Sequence, residues 1–133
     1  MRVLALDYGS ARCGCALSDP TGTLATPIEP VLRPATRRGF ARLVELVRDR
    51  DVERVVVGLP LSLSGADSEQ TRETRAFAQR LDAAVRVPVE LFDERFTTAI
   101  AQRSGASRTS EDSRAAAVLL EDWLARRPAA PEA

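Results

Sequence analysis

Histidine and lysine are both absent from the 133 residues, and all 19 basic residues are arginine. Without an imidazole there is no His general base, no Ser-His-Asp triad and no zinc site built on histidine. Without lysine there is no Gly-x-x-x-x-Gly-Lys-Ser/Thr phosphate loop, which disfavours a kinase or ATPase. Only two thiols are present, Cys13 and Cys15. They are too few for a zinc cage and, two apart on a strand-like stretch, too far apart for an easy disulfide. They read as small buried hydrophobes in a reducing compartment. No run is long and apolar enough to span a membrane, and the first residues enter a strand without a signal-peptide layout. A cytoplasmic location with no membrane partner is the expectation. Net charge is also lacking, at 19 basic against 19 acidic residues, so contact with nucleic acid must come from local arginine clusters. For catalysis, carboxylates are the instruments left.

What is present is the composition of an ordinary globular chain, 44% hydrophobic and 29% charged. A single domain over residues 1–126 is expected, followed by a flexible Pro/Ala tail over 127–133. Residues 3–6 form an apolar strand closed by Asp7 and Gly9. Residues 12–17 form a second strand, stopped by Ser18-Asp19-Pro20-Thr21-Gly22. A third, over 23–32, carries Pro27 and Pro30 and so belongs at an edge. The short connections predict an antiparallel meander. The period then changes: Phe40, Leu43, Val44 and Val47 mark a helix capped by Thr36. A strand over 54–60 runs into a loop reaching Gly65. A helix from about Ser68, capped by Asp67 or Ser68, a strand over 88–92, a short helix over 98–103, a polar loop over 104–110 and a last helix over 111–126 complete the order. Helical crossovers make the later strands parallel. The expected architecture is α/β, a five-stranded mixed sheet of three antiparallel and then two parallel strands, with helices on both faces.

The acids stand at telling places. Asp7 closes a strand apolar on both faces, where an unpaired carboxylate is costly. Asp93 and Glu94 end another strand, and in α/β sheets sites collect at the carboxyl ends of parallel strands. Asp112 sits four before Ala116 and seven before Leu119, on the core-facing stripe of the last helix. It serves either as a partner of the helix dipole or as an inward ligand. Three such carboxylates brought together suit the hard cations Mg²⁺ or Mn²⁺, and paired metals about 3.5–4 Å apart support phosphoryl displacement without histidine.

Four blocks resemble the YqgF/RuvX family of the RNase H-like superfamily, described as Holliday junction resolvases or pre-16S rRNA nucleases. They are Leu6-Asp7-Tyr8-Gly9-Ser10 with Arg12 and Gly14; Val57-Gly58-Leu59-Pro60-Leu61 with Gly65; Asp93-Glu94-Arg95-Phe96-Thr97-Thr98; and Asp112 with Ala115-Ala116 and Leu119-Leu120. The resemblance spans nearly the whole chain and implies an RNase H-like fold. It implies that Asp7, Glu94 and Asp112 are the catalytic, metal-binding acids. Ser62 stands where the family commonly has Asn, Cys13 and Cys15 replace apolar residues, and the loop before Asp112 carries only Arg108 where relatives are richer in basic residues.

The expected function is a metal-dependent nuclease with Mg²⁺ or Mn²⁺ as cofactor and RNA or DNA as partner. Arg12, Arg95 and the Gly58–Gly65 loop are the candidates for phosphate contacts. The resemblance favours 5′-end maturation of pre-16S rRNA, with junction resolution as the alternative. A non-catalytic nucleic-acid-binding protein is the alternative of another class, against which the three acids stand. Nothing marks a dimer face, so a monomer is favoured.

Overall fold

The computed structural model describes residues 1–61, 64–94 and 108–126, the side chains of 108–112 excepted. The strands are β1 (Val3–Asp7), β2 (Arg12–Ser18), β3 (Ala25–Leu32), β4 (Arg54–Leu59) and β5 (Val89–Asp93). The helices are α1 (Arg37–Asp49), α2 (Glu69–Ala84) and α3 (Arg108–Arg126). The sheet order is β3-β2-β1-β4-β5. β1, β2 and β3 pair antiparallel, and β4 pairs parallel with both β1 and β5. The meander and the parallel half are therefore as the sequence predicts. The last helix begins at Arg108, so residues 108–110 belong to it and not to a loop. The short helix expected over 98–103 and the tail over 127–133 lie outside the described residues.

The proline-bearing strand is an edge, and its irregularity has a cause. Cys13 pairs with Val31 but Cys15 with Ile28, so β3 carries one extra residue between these partners. Pro30 falls inside that bulge, where the ladder does not need its missing N–H.

Strand alternation sends side chains to two cores. On one face Leu4, Leu6, Cys13, Cys15, Val55 and Val57 meet Phe40, Leu43 and Val47 of α1 and Phe77, Ala78 and Leu81 of α2. Both cysteines are free thiols, as expected of small core residues. On the other face Val3, Ala5, Ala16 and Val56 meet Ala116, Leu119, Leu120 and Trp123 of α3. The alanines on both sides let this helix approach closely. Ser113 donates to the Ile28 carbonyl of β3, and Trp123 Nε1 donates to Glu90 of β5 at 3.2 Å. The helix is thus pinned across the sheet from one edge strand to the other.

Caps follow the sequence. The Thr36 hydroxyl accepts from the Gly39 N–H, and Ser68 and Thr71 form a reciprocal capping box. The Thr71 hydroxyl also donates to the Pro60 carbonyl at 2.6 Å, tying the loop after β4 to α2.

The β2–β3 turn is organised by Asp19. Its carboxylate accepts from the N–H groups of Thr23 at 2.7 Å and Leu24 at 2.8 Å, and from the Thr21 hydroxyl. Those bonds, the Thr21 hydroxyl first, hold its pKa well below the usual carboxylate range. A folded-state pKa below the unfolded value of about 3.9 gives stability that is present above that value and lost as pH falls. Asp19→Ala should therefore melt below the parent at neutral pH, and the gap should narrow as the pH drops below about 4. A gap independent of pH would show that the charge of Asp19 is not what organises the turn.

Candidate active site

Asp7 is the last residue of β1, opposite Gly14 on β2. The β1–β4 register places Leu6 beside Val57, so Asp7 comes level with Gly58. On the far side of β4, Gly58 pairs with Phe92 and Leu59 with Asp93. Asp7, Gly58 and the Asp93-Glu94 step therefore line the carboxyl end of three adjacent parallel strands, β1, β4 and β5.

Alternation decides which acid joins which face. Val3 and Ala5 of β1 and Val56 of β4 face α3, and so by alternation do the positions two on from Ala5 and from Val56, Asp7 and Gly58. On β5, Glu90 bonds Trp123 and Phe92 packs into the same α3-side core. Glu94 continues that face and is only 1% exposed. Asp93, one residue earlier, is half-buried at the end of β5 and belongs by alternation to the α2 face.

Gly58 explains how a buried glutamate is accommodated. A Cβ placed on it would lie 3.0 Å from Glu94 Cδ, 3.1 Å from Glu94 Cγ and 2.9 Å from Leu119 Cδ2 of α3. The glycine is a notch: the Glu94 side chain lies in the space that any other residue would fill. Gly58, offered with the loop up to Gly65 for phosphate contacts, is buried inside β4 ahead of that loop, and its strand position is needed for the approach of Glu94 and Leu119. The signal in the sequence was a glycine inside an otherwise bulky run, Val55-Val56-Val57-Gly58-Leu59.

The remaining expected residues are placed as follows. Gly65 does lie in the loop before α2, with φ of 87°, a conformation in which glycine alone is unstrained. Arg12 opens β2 opposite Leu32 and is half-buried. Arg95 lies outside the described residues. Asp112 lies in the first turns of α3, and its side chain is likewise outside them. The next residue, Ser113, is anchored on Ile28, which pairs with Cys15, itself paired with Leu6 one residue before Asp7. The start of α3 therefore docks at nearly the level of the sheet where Asp7 stands. Among the described residues no three acidic or thiol groups cluster as a metal-ligand set.

Tyr8, next to Asp7, turns to the opposite face and stacks on Phe77 with ring centroids 4.5 Å apart. Burial first, and then the charge of Glu73, raise its pKa, so the phenol stays neutral. Two adjacent residues thus serve different cores: Asp7 serves the α3 side of the edge and Tyr8 the aromatic core.

Among the described residues no helix is long and apolar enough to cross a membrane. The family model described as "RuvX: Holliday junction resolvase" matches residues 1–126. A protein named "Putative pre-16S rRNA nuclease" from Anaeromyxobacter dehalogenans strain 2CP-1 is 40% identical, the match covering 96% of this chain and 98% of that one. One of the same name from Mycobacteroides abscessus is 43% identical over 95% of this chain and 82% of its own length. Among solved structures, the Thermus thermophilus RuvC structure in complex with a Holliday junction substrate aligns with a TM-score of 0.58 at 16% identity, covering 93% of each chain. That likeness establishes the RNase H-like fold. Matched over nearly its whole length by the family model and by these relatives, the chain belongs to the RuvX family.

Proposed function

We propose that this chain is a metal-dependent nuclease that hydrolyses phosphodiester bonds, acting in maturation of the 5′ end of pre-16S rRNA. The observation that carries this reading is the placement of Asp7 and Glu94 on one face of the sheet edge, either side of the Gly58 notch. A buried carboxylate is costly, and a second at the same edge adds like-charge repulsion. Both would also repel a phosphodiester, so the pair is suited to phosphate chemistry only through a cation. The donor set is all carboxylate oxygen, which fits Mg²⁺ or Mn²⁺. Asp7, Glu94 and Asp112 would hold the cation, which when bound supplies charge neutralisation at the scissile phosphate. Gly58 keeps the Glu94 side chain in place, and the α3 core beneath excludes water from one side. Arg12 and Arg95 are assigned to phosphate contacts that position the strand.

The names of the relatives favour RNA, and the family description favours four-way DNA junctions. A cleavage panel of single-stranded RNA, single-stranded DNA, duplex and four-way junction, with Mg²⁺ or Mn²⁺, tests the reading. Cutting of RNA in preference to junctions is the expected result. Preference for junctions would move the substrate to recombination, and cleavage of nothing would leave a nucleic-acid-binding protein.

Asp112 has two competing roles that melting separates. If it lies with the other acids, Asp112→Asn relieves repulsion, and the metal-free variant should melt no lower than the metal-free parent. It should also gain less from added Mg²⁺ or Mn²⁺. If Asp112 serves only the helix dipole, the change should cost about 0.3–1 kcal/mol and leave the metal response whole.

A further inference from the structure

The sheet edge that carries Asp7 and Glu94 continues on the other side of β1. There it passes the start of β2 at Arg12 and reaches the end of β3, where the Arg33 N–H donates to the Ala11 carbonyl at 2.9 Å. Arg33 holds φ at 46°, a left-handed conformation unfavourable for a long side chain. Gly39 lets the first turn of α1 press against this corner, since a Cβ there would come within 2.6 Å of the Leu32 carbonyl oxygen. Arg80 of α2 braces the corner from outside, donating to the Ala35 carbonyl at 2.9 Å and lying 3.8 Å over the Phe40 ring.

The charge of this corner runs against local preference. From Pro30 to Val44 the chain has four arginines and no acid, although its total charge is zero. Arg37 and Arg38 occupy the first turn of α1, which contains no acidic residue and where the helix dipole opposes cations. Arg33, Arg37 and Arg38 are all exposed. Among the described residues no carboxylate pairs with any of them. A strained arginine beside two dipole-opposed ones is a local conflict, and such conflicts mark function more often than fold. An anionic partner removes it.

We propose that Arg33, Arg37 and Arg38, with Arg80 behind them, form a docking surface for the backbone of single-stranded RNA. The strand crosses the sheet edge from this corner, past Arg12, to Asp7 and Glu94. The inference rests on the nuclease reading above. Guanidinium groups bind phosphate oxygens in bidentate pairs, and a single strand can adapt its phosphate spacing to such a surface. β3 lies two strands from β1, roughly 10 Å at about 4.8 Å per strand, so the surface grips nucleotides beside the scissile bond. Glu69 and Glu73 of α2 line the depression next to Gly9 and Arg12. They border the surface with negative charge and direct the strand to the α1 side.

Binding of a labelled single-stranded RNA of mixed sequence, in chelator and across a salt series, tests the surface by anisotropy. The R33A/R37A/R38A variant should bind more weakly. The slope of log affinity against log salt should be shallower by about 2, for three phosphate contacts at about 0.7 each. If loss of Arg33 disturbs the corner, R37Q/R38Q leaves it intact and should flatten the slope by about 1.4. Replacing Arg48 and Arg50 at the far end of α1 by alanine should leave the slope unchanged. Parental slopes in both arginine variants, with RNA still bound and cut, would overturn the docking surface alone. A parent that binds a four-way DNA junction but not RNA would overturn the assignment to RNA. A parent that neither binds nor cuts any nucleic acid would overturn the surface together with the nuclease reading.

Discussion

Asp7→Asn should fold, melt close to the parent without metal, and lose cleavage. Asp7 is half-buried at the strand end, and the amide keeps its shape while giving up the charge that holds a divalent cation. Changing an outer-shell partner of a metal site costs roughly 10–100-fold, so removal of a ligand should cost more than the upper end of that range. The melting response to metal gives a reading independent of turnover. A ligand at a hundred times its Kd stabilises by about 2.7 kcal/mol, and the variant should show little of this. Near-normal cleavage by folded Asp7→Asn would sink the mechanism.

Gly58→Ala should damage both stability and cleavage, although it adds a single methyl group. The methyl would lie 2.9 Å from Leu119 Cδ2 and 3.0 Å from Glu94 Cδ, closer than carbon atoms approach without displacement. Overpacking of this kind costs about 1–3 kcal/mol. Leu119 and Glu94 are both buried, but Leu119 is held within α3 against the sheet while Glu94 follows the last residue of β5, so the Glu94 chain is the easier group to displace. Adding Leu119→Val withdraws one of the two obstructions and leaves the other. The double variant should therefore recover melting temperature more than cleavage. If cleavage returned in step with stability, Gly58 would matter to helix packing alone and not to the position of Glu94. A Gly58→Ala protein with full activity would remove the notch from the site altogether.

Much of the frame was legible because short-range chemistry determines it. Thr36 and Ser68 cap helices through hydroxyls that satisfy N–H groups three residues on, a contact readable within one turn. Pro27 and Pro30 forced β3 to the edge, because a proline cannot serve a central ladder. Cys13 and Cys15 read as core residues, and both are buried thiols on one face. The start of α3 was less legible. Residues 108–110, Arg-Thr-Ser, look like a loop, yet they continue a helix anchored just downstream through Ser113 to the Ile28 carbonyl. That anchor spans 85 residues of chain and leaves no mark in the local pattern.

The sequence by itself determined the order of the described strands and helices, the antiparallel-then-parallel sheet and the acids at strand ends, because hydrophobic period, turn residues and caps act over a few residues. It could not separate Asp93 from Glu94 by pattern, since both follow the same apolar run; only the resemblance to a family favoured Glu94. Tertiary structure separated them physically, because register and alternation send Glu94 to the α3 face and Asp93 to the other. Only tertiary structure showed that Gly58 is room for a neighbouring side chain and not a flexible joint, since that depends on what β5 and α3 bring against it. The cationic corner at Arg33, Arg37 and Arg38 was likewise invisible as a surface. Its place on the same sheet edge as Asp7, two strands away, depends on β3 folding back along β2.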